Sequence, residues 1–439
     1  MLAARYLELI SNPSTFAPGL MNRSRLFAEA VVIMVCPVLA VSLGKVEPEI
    51  GEHGRHAVPI IMLVFAAITL ITGNVPFLIL CFSKFFYGDW TWKLPVKVTR
   101  WLAPLSGTCL VVLACWITRL IFFDRWPYPV LGAMVGLGIL IRAATNYILW
   151  KEETNPDPNL QLPNDHRSIK KLDSKLEKSV ELLSGGTALL FLGLEGLALE
   201  GGQGEEATSK HRLSKPICVS FLACVCGLYS MMVGMIPPRP RGGIRLILSG
   251  IPDETTREVE RYVSGVIRLT LVFDAAMIVA IVFVMFLVMY TLMKLPAFLL
   301  LAPPFLILIV TIYYAIFDDP GGSDNGAATM YEYPKPASLE LTKVTFAGFL
   351  AVSIPVIGNG SLSTSADLFL TCAASAVASG LVWRFLTHDN DNVSLIPQRA
   401  VERAAHVASF CAHLLIVIAT VPFTIMAANA LHSPMKNAG

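Results

Sequence analysis

Long apolar runs separated by short polar connections fill the chain from residue 26 to residue 431. Each run is close to the roughly 20 residues that a helix needs to cross a hydrocarbon layer about 30 Å thick. The pattern predicts an all-α, polytopic membrane protein with about eleven transmembrane helices in one membrane domain, residues 1–439. The predicted helices are 26–44, 57–82, 102–123, 128–150, 182–199, 216–237, 264–293, 296–317, 342–358, 364–386 and 404–431.

The segment 182–199 leaves this number open, because its 18 residues make only about 27 Å of helix. Lys and Arg concentrate in short cytoplasmic loops, so their distribution tests each topology. With eleven spans and a cytosolic N-terminus, 23 of them lie in or within three residues of interior loops and 8 in exterior ones. With ten spans the numbers are 18 and 13. We therefore favour eleven spans, and the alternative is ten, with 182–199 re-entrant or lying in the membrane interface.

Three connections have distinctive compositions. Residues 151–181 contain apolar positions at steps of three and four with lysines between them, which predicts a cytosolic amphipathic helix. This helix either lies on the inner leaflet, where anionic lipids attract its lysines, or packs as a solvated helix against neighbouring loops. Residues 238–262 form a basic loop, and 318–341 form an acidic, flexible loop rich in Gly and Pro. The lysines of the amphipathic segment are Lys170, Lys171, Lys175 and Lys178.

Composition narrows the function classes. The chain is 54% hydrophobic and 15% charged, whereas soluble domains carry about 25% charged residues. A net charge of +2 is too small to indicate a nucleic-acid partner. The expected partner is the lipid bilayer, including anionic lipids, and assembly into a homo-oligomer is compatible with the sequence. The nine cysteines lie in apolar segments and are expected to be small buried hydrophobes.

Enzyme signatures are not found in the sequence. It contains no HExxH, GxSxG or GxxxxGK[ST] motif, and the histidines form no HxxxH pair within a predicted helix. We therefore expect no catalytic residues, no metal ligands and no bound cofactor.

Three ionisable residues lie deep inside predicted spans. Arg142, Asp274 and His413 are about 12, 15 and 14 Å from the inner ends of their helices, counted at 1.5 Å per residue. Such groups are costly in lipid and usually meet one another or a polar cavity. One interpretation is an Arg142–Asp274 ion pair with His413 bonded to a backbone carbonyl. The other is an ion or proton pathway that all three residues line.

Glu195 and two proline-containing sites are further candidates for a gate or a helix break. Glu195 lies between Gly193 and Gly196 in the uncertain span, where small residues allow close approach by water or a neighbouring helix. The alternative is a carboxylate that reaches outward to the interface.

The first proline site is Gly73-Asn74-Val75-Pro76 in the second span, and the second is Pro303-Pro304 in the eighth. Proline removes a helical hydrogen bond and frees a carbonyl. Each site is either a lining element of a substrate site or a plain kink, which Asn74 fills in the first case.

Two short runs, LFLGLEG at 190–196 and NYILWK at 146–151, resemble multi-pass membrane proteins of plants that include defence proteins linked to cell death. This resemblance implies a helical membrane protein that acts in defence or signalling through assembly or membrane perturbation, and it assigns no site residue. The other hypothesis is transport or permeation of an ion or small polar solute. Eleven helices, two helix breaks and a depth-matched polar cluster motivate it, and only the frequency of transporters among such proteins favours it. Both hypotheses expect a location in the plasma membrane or endoplasmic reticulum, with a cytosolic N-terminus.

Overall fold

A computed structural model of the protein describes residues 17–46, 57–86, 93–121, 127–154, 166–201, 207–235, 252–317, 339–359, 363–389 and 398–436. Within these ranges the chain is helical and contains no strand. Each of the eleven predicted segments coincides with an observed helical segment. The helices are α1 (Ala17–Val46), α2 (Ala57–Phe86), α3 (Lys93–Ile121), α4 (Pro127–Thr154), α5 (His166–Gly201), α6 (Ala207–Met235), α7 (Pro252–Met293), α8 (Ala302–Phe317), α9 (Leu339–Asn359), α10 (Thr364–Asp389) and α11 (Gln398–Lys436).

Seven segments within the described residues are long and apolar enough to cross a membrane. They belong to α2, α3, α6, α7, α10, α11 and the segment that ends in α8. The protein is therefore a polytopic helical membrane protein, as the apolar runs predict. The seven segments are Met62–Phe82, Trp101–Thr118, Pro216–Met235, Ser264–Met293, Leu295–Ile316, Thr364–Thr387 and Ala400–Asn429.

The connections differ in detail from their prediction. The amphipathic segment is not a separate helix, because α5 begins at His166 and continues without interruption through 182–199 to Gly201. The basic loop 238–262 is shorter than predicted, since α7 already begins at Pro252. Of the acidic loop 318–341, residues 318–338 lie outside the described ranges.

The chain divides into two compact units. The first comprises Met1–Ala198 and Cys218–Met277, and the second comprises Leu199–Ile217 and Ile278–Gly439. In the first unit the core includes large, fully buried side chains from α1 and α5, such as Phe27, Met34, Leu183 and Phe191. In the second unit α10 contributes many buried alanines, and Ala404 and Ala408 of α11 pack against Ile307 of α8.

The two predicted helix breaks have different outcomes. Residues 295–301 form a 3₁₀ helix that becomes α8 at Ala302, so Pro303 and Pro304 lie in the first turn of α8, where proline is well tolerated. The tight turn that precedes the 3₁₀ helix places Lys294 at φ 59°, the one positive φ among described non-glycine residues.

At the other site α2 is a continuous helix through Gly73, Asn74 and Pro76. The Asn74 amide donates a hydrogen bond to the Leu70 carbonyl, at 2.8 Å. Gly73 allows close packing, since a Cβ atom there would lie 2.8 Å from Val31 of α1 and 3.0 Å from the Ser106 hydroxyl of α3. These contacts give Gly73 a packing role. The Asn74 bond does not reach the Thr72 carbonyl, which Pro76 leaves without its helical donor, so both interpretations of this site stay predictions.

Candidate functional site: a buried polar stripe on α5

The central helix of the first unit is α5, which is buried on most of its circumference from Leu172 to Glu195. From Leu182 to Glu195 the side chains are buried or half-buried all round, which indicates a helix enclosed by others. Even Lys175, in the segment predicted to lie on the leaflet or among loops, is only 8% exposed. In the basic half of α5, Lys175 therefore packs inside the helical bundle, whereas Ser174 is exposed and Lys178 is half-buried.

One face of α5 has polar residues at heptad-like spacing. Asp173, Glu177, Ser184, Thr187 and Glu195 follow one another along this face, with Val180 and Phe191 at the two intervening positions. Steps of three and four residues place them on the same side of the helix. We call these five residues the polar stripe. Its 22-residue rise is about 33 Å, close to the thickness of a bilayer's hydrocarbon core.

At the first end of the polar stripe, a buried arginine joins three helices. Arg23 of α1 donates to the Asp173 carboxylate at 3.1 Å, to the Gly234 carbonyl of α6 at 3.1 Å and to the Gly19 carbonyl at 3.2 Å. A Cβ atom at Gly19 would overlap the Asp173 carboxylate, so glycine makes room for this contact.

Burial dominates the electrostatics of this ion pair. It lowers the pKa of Arg23, although Asp173 and Glu177 act in the opposite direction. Burial also raises the pKa of Asp173, which Arg23 opposes and Glu177 reinforces. Desolvation thus exceeds the mutual attraction, as in many buried salt bridges. Glu177 itself accepts a hydrogen bond from the Asn22 amide at 3.1 Å.

The middle of the polar stripe packs against glycines of α6. Gly227 and Gly234 are seven residues apart and face Thr187 and Val180, which are also seven residues apart. A Cβ atom at Gly227 would overlap the Thr187 hydroxyl, and one at Gly234 would lie 2.9 Å from a Val180 methyl group. Because the higher number in α5 meets the lower number in α6, the two helices are antiparallel. Small residues let them approach closely, as in many membrane helix pairs.

The second end of the polar stripe contains buried polar atoms without a hydrogen-bond partner. Glu195 is 6% exposed and Thr187 is fully buried. Both carboxylate oxygens of Glu195 and the Thr187 hydroxyl oxygen lack a partner. Ser184, between the two ends, donates to the Glu181 carbonyl of its own helix at 3.2 Å. Buried polar atoms rarely remain unpaired, so these three point to a bound proton, water or solute.

Asp274, a residue predicted to be functional, meets α5 on an adjacent face. Its side chain is 9% exposed and accepts a hydrogen bond from the Ser179 hydroxyl at 2.6 Å. Ser179 precedes Val180, which contacts Gly234 near the C-terminal end of α6. Asp274 therefore lies level with that end of α6 and about 24 Å along α5 from Glu195.

The other two members of the predicted cluster have different surroundings. Arg142 is exposed on α4, and within the described part of the chain it makes no ion pair with Asp274. His413 belongs to the second unit, where its Nδ1 lies 2.8 Å from the Ser409 carbonyl oxygen. Its ring packs edge-on against Trp383, with centroids 5.6 Å apart. The hydrogen bond predicted between His413 and a backbone carbonyl is present. Asp274 accepts a hydrogen bond from Ser179 and does not form the predicted pair with Arg142.

Sequence reasoning did not identify Arg23, Asp173, Glu177, Ser184 or Thr187 as site residues. The signal that could have found them is the repeat of three- and four-residue steps from Asp173 to Glu195, which continues from the charged segment into the apolar one. No protein-family model matches the chain, and no curated protein or solved structure is detectably similar to it. The function is therefore inferred from the polar stripe and its contacts.

Proposed function

We propose that the protein transports an ion or small polar solute across its membrane, and that the polar stripe lines part of the route. The observation that carries this proposal is a row of polar side chains about as long as the hydrocarbon core is thick, which is half-buried at the Asp173 end and buried from Ser184 to Glu195. Three buried oxygen atoms of this row, in Thr187 and Glu195, have no hydrogen-bond partner. A carboxyl group that is buried among membrane helices, as that of Glu195 is, is a candidate for contact with a transported species.

The route requires α5 to cross the membrane. Support comes from its pairing with α6, because Val180 and Thr187 face Gly234 and Gly227 inside the apolar segment Pro216–Met235. This contact covers about 10 Å of α5, from Val180 to Thr187, and supports a common depth for these turns and the facing turns of α6. The preponderance of Lys and Arg in the loops on one side supports a cytosolic N-terminus, with the plasma membrane or endoplasmic reticulum as the proposed location.

The crossing is tested by placing one accessibility tag in 155–165 and another in 202–206. We expect the first tag to be labelled from the cytosolic side and the second from the opposite side. Labelling of both from the same side would contradict the crossing of α5 and the transport route along it.

Transport is tested with purified protein in liposomes, using concentration jumps of protons, Na⁺, K⁺, Cl⁻ and small neutral polar solutes. We expect flux of at least one of them above that of protein-free liposomes. Thr187→Val, which keeps the shape of the side chain and removes its hydroxyl, should reduce this flux. Thr345→Val is the matched control, because the Thr345 hydroxyl donates only to the Leu341 carbonyl of its own helix in α9. Folded wild-type protein that moves none of these solutes would refute the proposal.

The plant-type alternative is a defence or signalling protein that acts through assembly or membrane perturbation. It predicts that expression provokes a cellular response that survives Asp274→Asn and is lost when Lys170, Lys171, Lys175 and Lys178 are neutralised. The burial of Lys175 inside the first unit favours the transport proposal over this alternative. A response that follows the lysines, with no flux in liposomes, would reverse this order.

A further inference from the structure

Glu195 differs from every other carboxylate of the polar stripe in its surroundings. Asp173 has Arg23 as an ionic partner and Glu177 accepts a bond from Asn22, whereas neither oxygen of Glu195 has a hydrogen-bond partner. Its side chain is nevertheless more than nine-tenths buried. A buried charged carboxylate needs a counter-ion or several donors, and a neutral carboxyl group needs neither.

The surroundings of Glu195 suit a proton better than a metal cation. Metal cations require several oxygen ligands, six to eight in the case of Ca²⁺. Within the described residues no group of three or more His, Cys, Asp or Glu could hold a metal ion. A proton needs only one carboxyl oxygen, which becomes an O–H group.

The charged and titratable neighbours of Glu195 are few. In α6, which packs against this face of α5, Cys224 is fully buried and within electrostatic range. Arg23, Asp173 and Asp274 lie at the opposite end of α5, about 24 Å or more away along the helix. Among the side chains that the structure describes, no charged group compensates a negative charge on Glu195.

We propose that the transported or coupling ion is the proton, and that the carboxyl group of Glu195 binds and releases it. This inference rests on the proposed transport function and names its ion. A proton from water on one side forms the O–H bond on Glu195, and the same bond breaks when the proton passes to water on the other side. No electron transfer or covalent intermediate is required. The unpaired hydroxyl of Thr187, on the same face of α5, is a second polar position along the route.

The first experiment detects the proton directly. Infrared difference spectra of the full-length protein in lipid, recorded between acidic and alkaline buffer, should contain the C=O stretch of a protonated carboxylic acid in a dry environment. This band should be missing in Glu195→Gln, which has the shape of the neutral acid and should fold. It should remain in the control Glu340→Gln, because Glu340 is an exposed residue bonded to Lys343.

The second experiment measures proton flux into liposomes under a K⁺ diffusion potential, with a pH-sensitive dye inside. Wild type and Glu340→Gln should acidify the lumen at the same rate, and Glu195→Gln should match protein-free liposomes. Glu195→Asp keeps an acid and should retain part of the flux.

The outcomes separate the two proposals. A wild-type protein that moves a solute at a rate unchanged by Glu195→Gln leaves transport intact and overturns the role of Glu195. A carboxyl band that is the same in wild type and Glu195→Gln also overturns it. A wild-type protein that moves no solute at all overturns the transport function itself.

Discussion

The ion pair between Arg23 and Asp173 allows a test of how much the contact between α1 and the polar stripe of α5 stabilises the protein. Asp173→Ala removes the carboxylate and leaves a guanidinium whose side chain is 3% exposed. The carbonyl oxygens of Gly19 and Gly234 remain as its acceptors, at 3.2 and 3.1 Å. Removing one partner of a buried pair costs about 3–5 kcal/mol, mainly because the other charge stays buried. Because two carbonyls still accept hydrogen bonds from Arg23, we expect the free energy of unfolding to fall by about 3 kcal/mol, at the lower end of this range. This loss corresponds to roughly a hundredfold change in the folding equilibrium constant.

The double variant Arg23→Met with Asp173→Ala removes the stranded charge. Replacing a whole buried pair by apolar residues is often neutral or stabilising, so the double variant should recover most of the loss. Glu340→Ala is the control, since its ion pair with Lys343 at 2.9 Å is exposed on the glutamate side, with 73% of that side chain accessible. It should change the stability by less than about 1 kcal/mol.

Reversible unfolding of the purified protein in mixed micelles of detergent and SDS measures these free energies. The three variants and wild type give a double-mutant comparison at the first end of the polar stripe. If Asp173→Ala behaves like Glu340→Ala, Arg23 is not a buried charge that depends on Asp173. If the double variant is no more stable than Asp173→Ala, the loss does not come from an unpaired guanidinium. Either result would refute the three-helix contact.

Three further predictions concern single positions. Gly227→Ala should destabilise the first unit by about 1–3 kcal/mol, because the added Cβ atom overlaps the Thr187 hydroxyl. Gly136 has no atom within 4 Å of an added Cβ, so Gly136→Ala should be neutral or stabilising by up to about 1 kcal/mol. Unfolding in SDS compares the stability of the two variants with that of wild type. Lys294→Gly should stabilise the turn at φ 59° by about 1 kcal/mol, measured the same way, and a loss of stability would contradict the assigned backbone strain. Burial raises the pKa of Asp173, so the carboxyl group binds its proton more tightly in the folded state than in the unfolded state. The free energy of unfolding should therefore fall as the pH rises from about 3.8 through the pKa of Asp173 in the folded protein. Asp173→Asn should flatten this part of the plot of Tm against pH.

The helices themselves could be predicted from the sequence because length and apolar composition are local properties. All eleven predicted segments are helical, and Pro303 and Pro304 mark the start of α8 to within two residues. The basic amphipathic segment and the following apolar segment form one helix in the structure. Both have helical periodicity, and no proline or loop separates residue 181 from residue 182, so α5 continues through the boundary.

The contacts between helices could not be predicted in the same way. Depth in the membrane follows from the position along a helix, but the direction in which a side chain points depends on rotation about the helix axis. Rotation is set by packing, such as the fit of Thr187 and Val180 against two glycines of α6. Arg142 has a depth similar to that of Asp274 and lies on an exposed face. The polar face of the basic segment was expected either on the inner leaflet or in solvent, because the ionic partner of Asp173, Arg23, is 150 residues away in sequence.

The unbroken length of α5 has a mechanical consequence. Its 36 residues make a rod of about 54 Å, well beyond the roughly 30 Å of hydrocarbon. A rod of this kind has no joint at the membrane surface, so a twist applied to the turns around Asp173 reaches the turn around Glu195 as well. A partner that binds the charged end of α5 from the aqueous side could therefore change the orientation of the Glu195 carboxyl group.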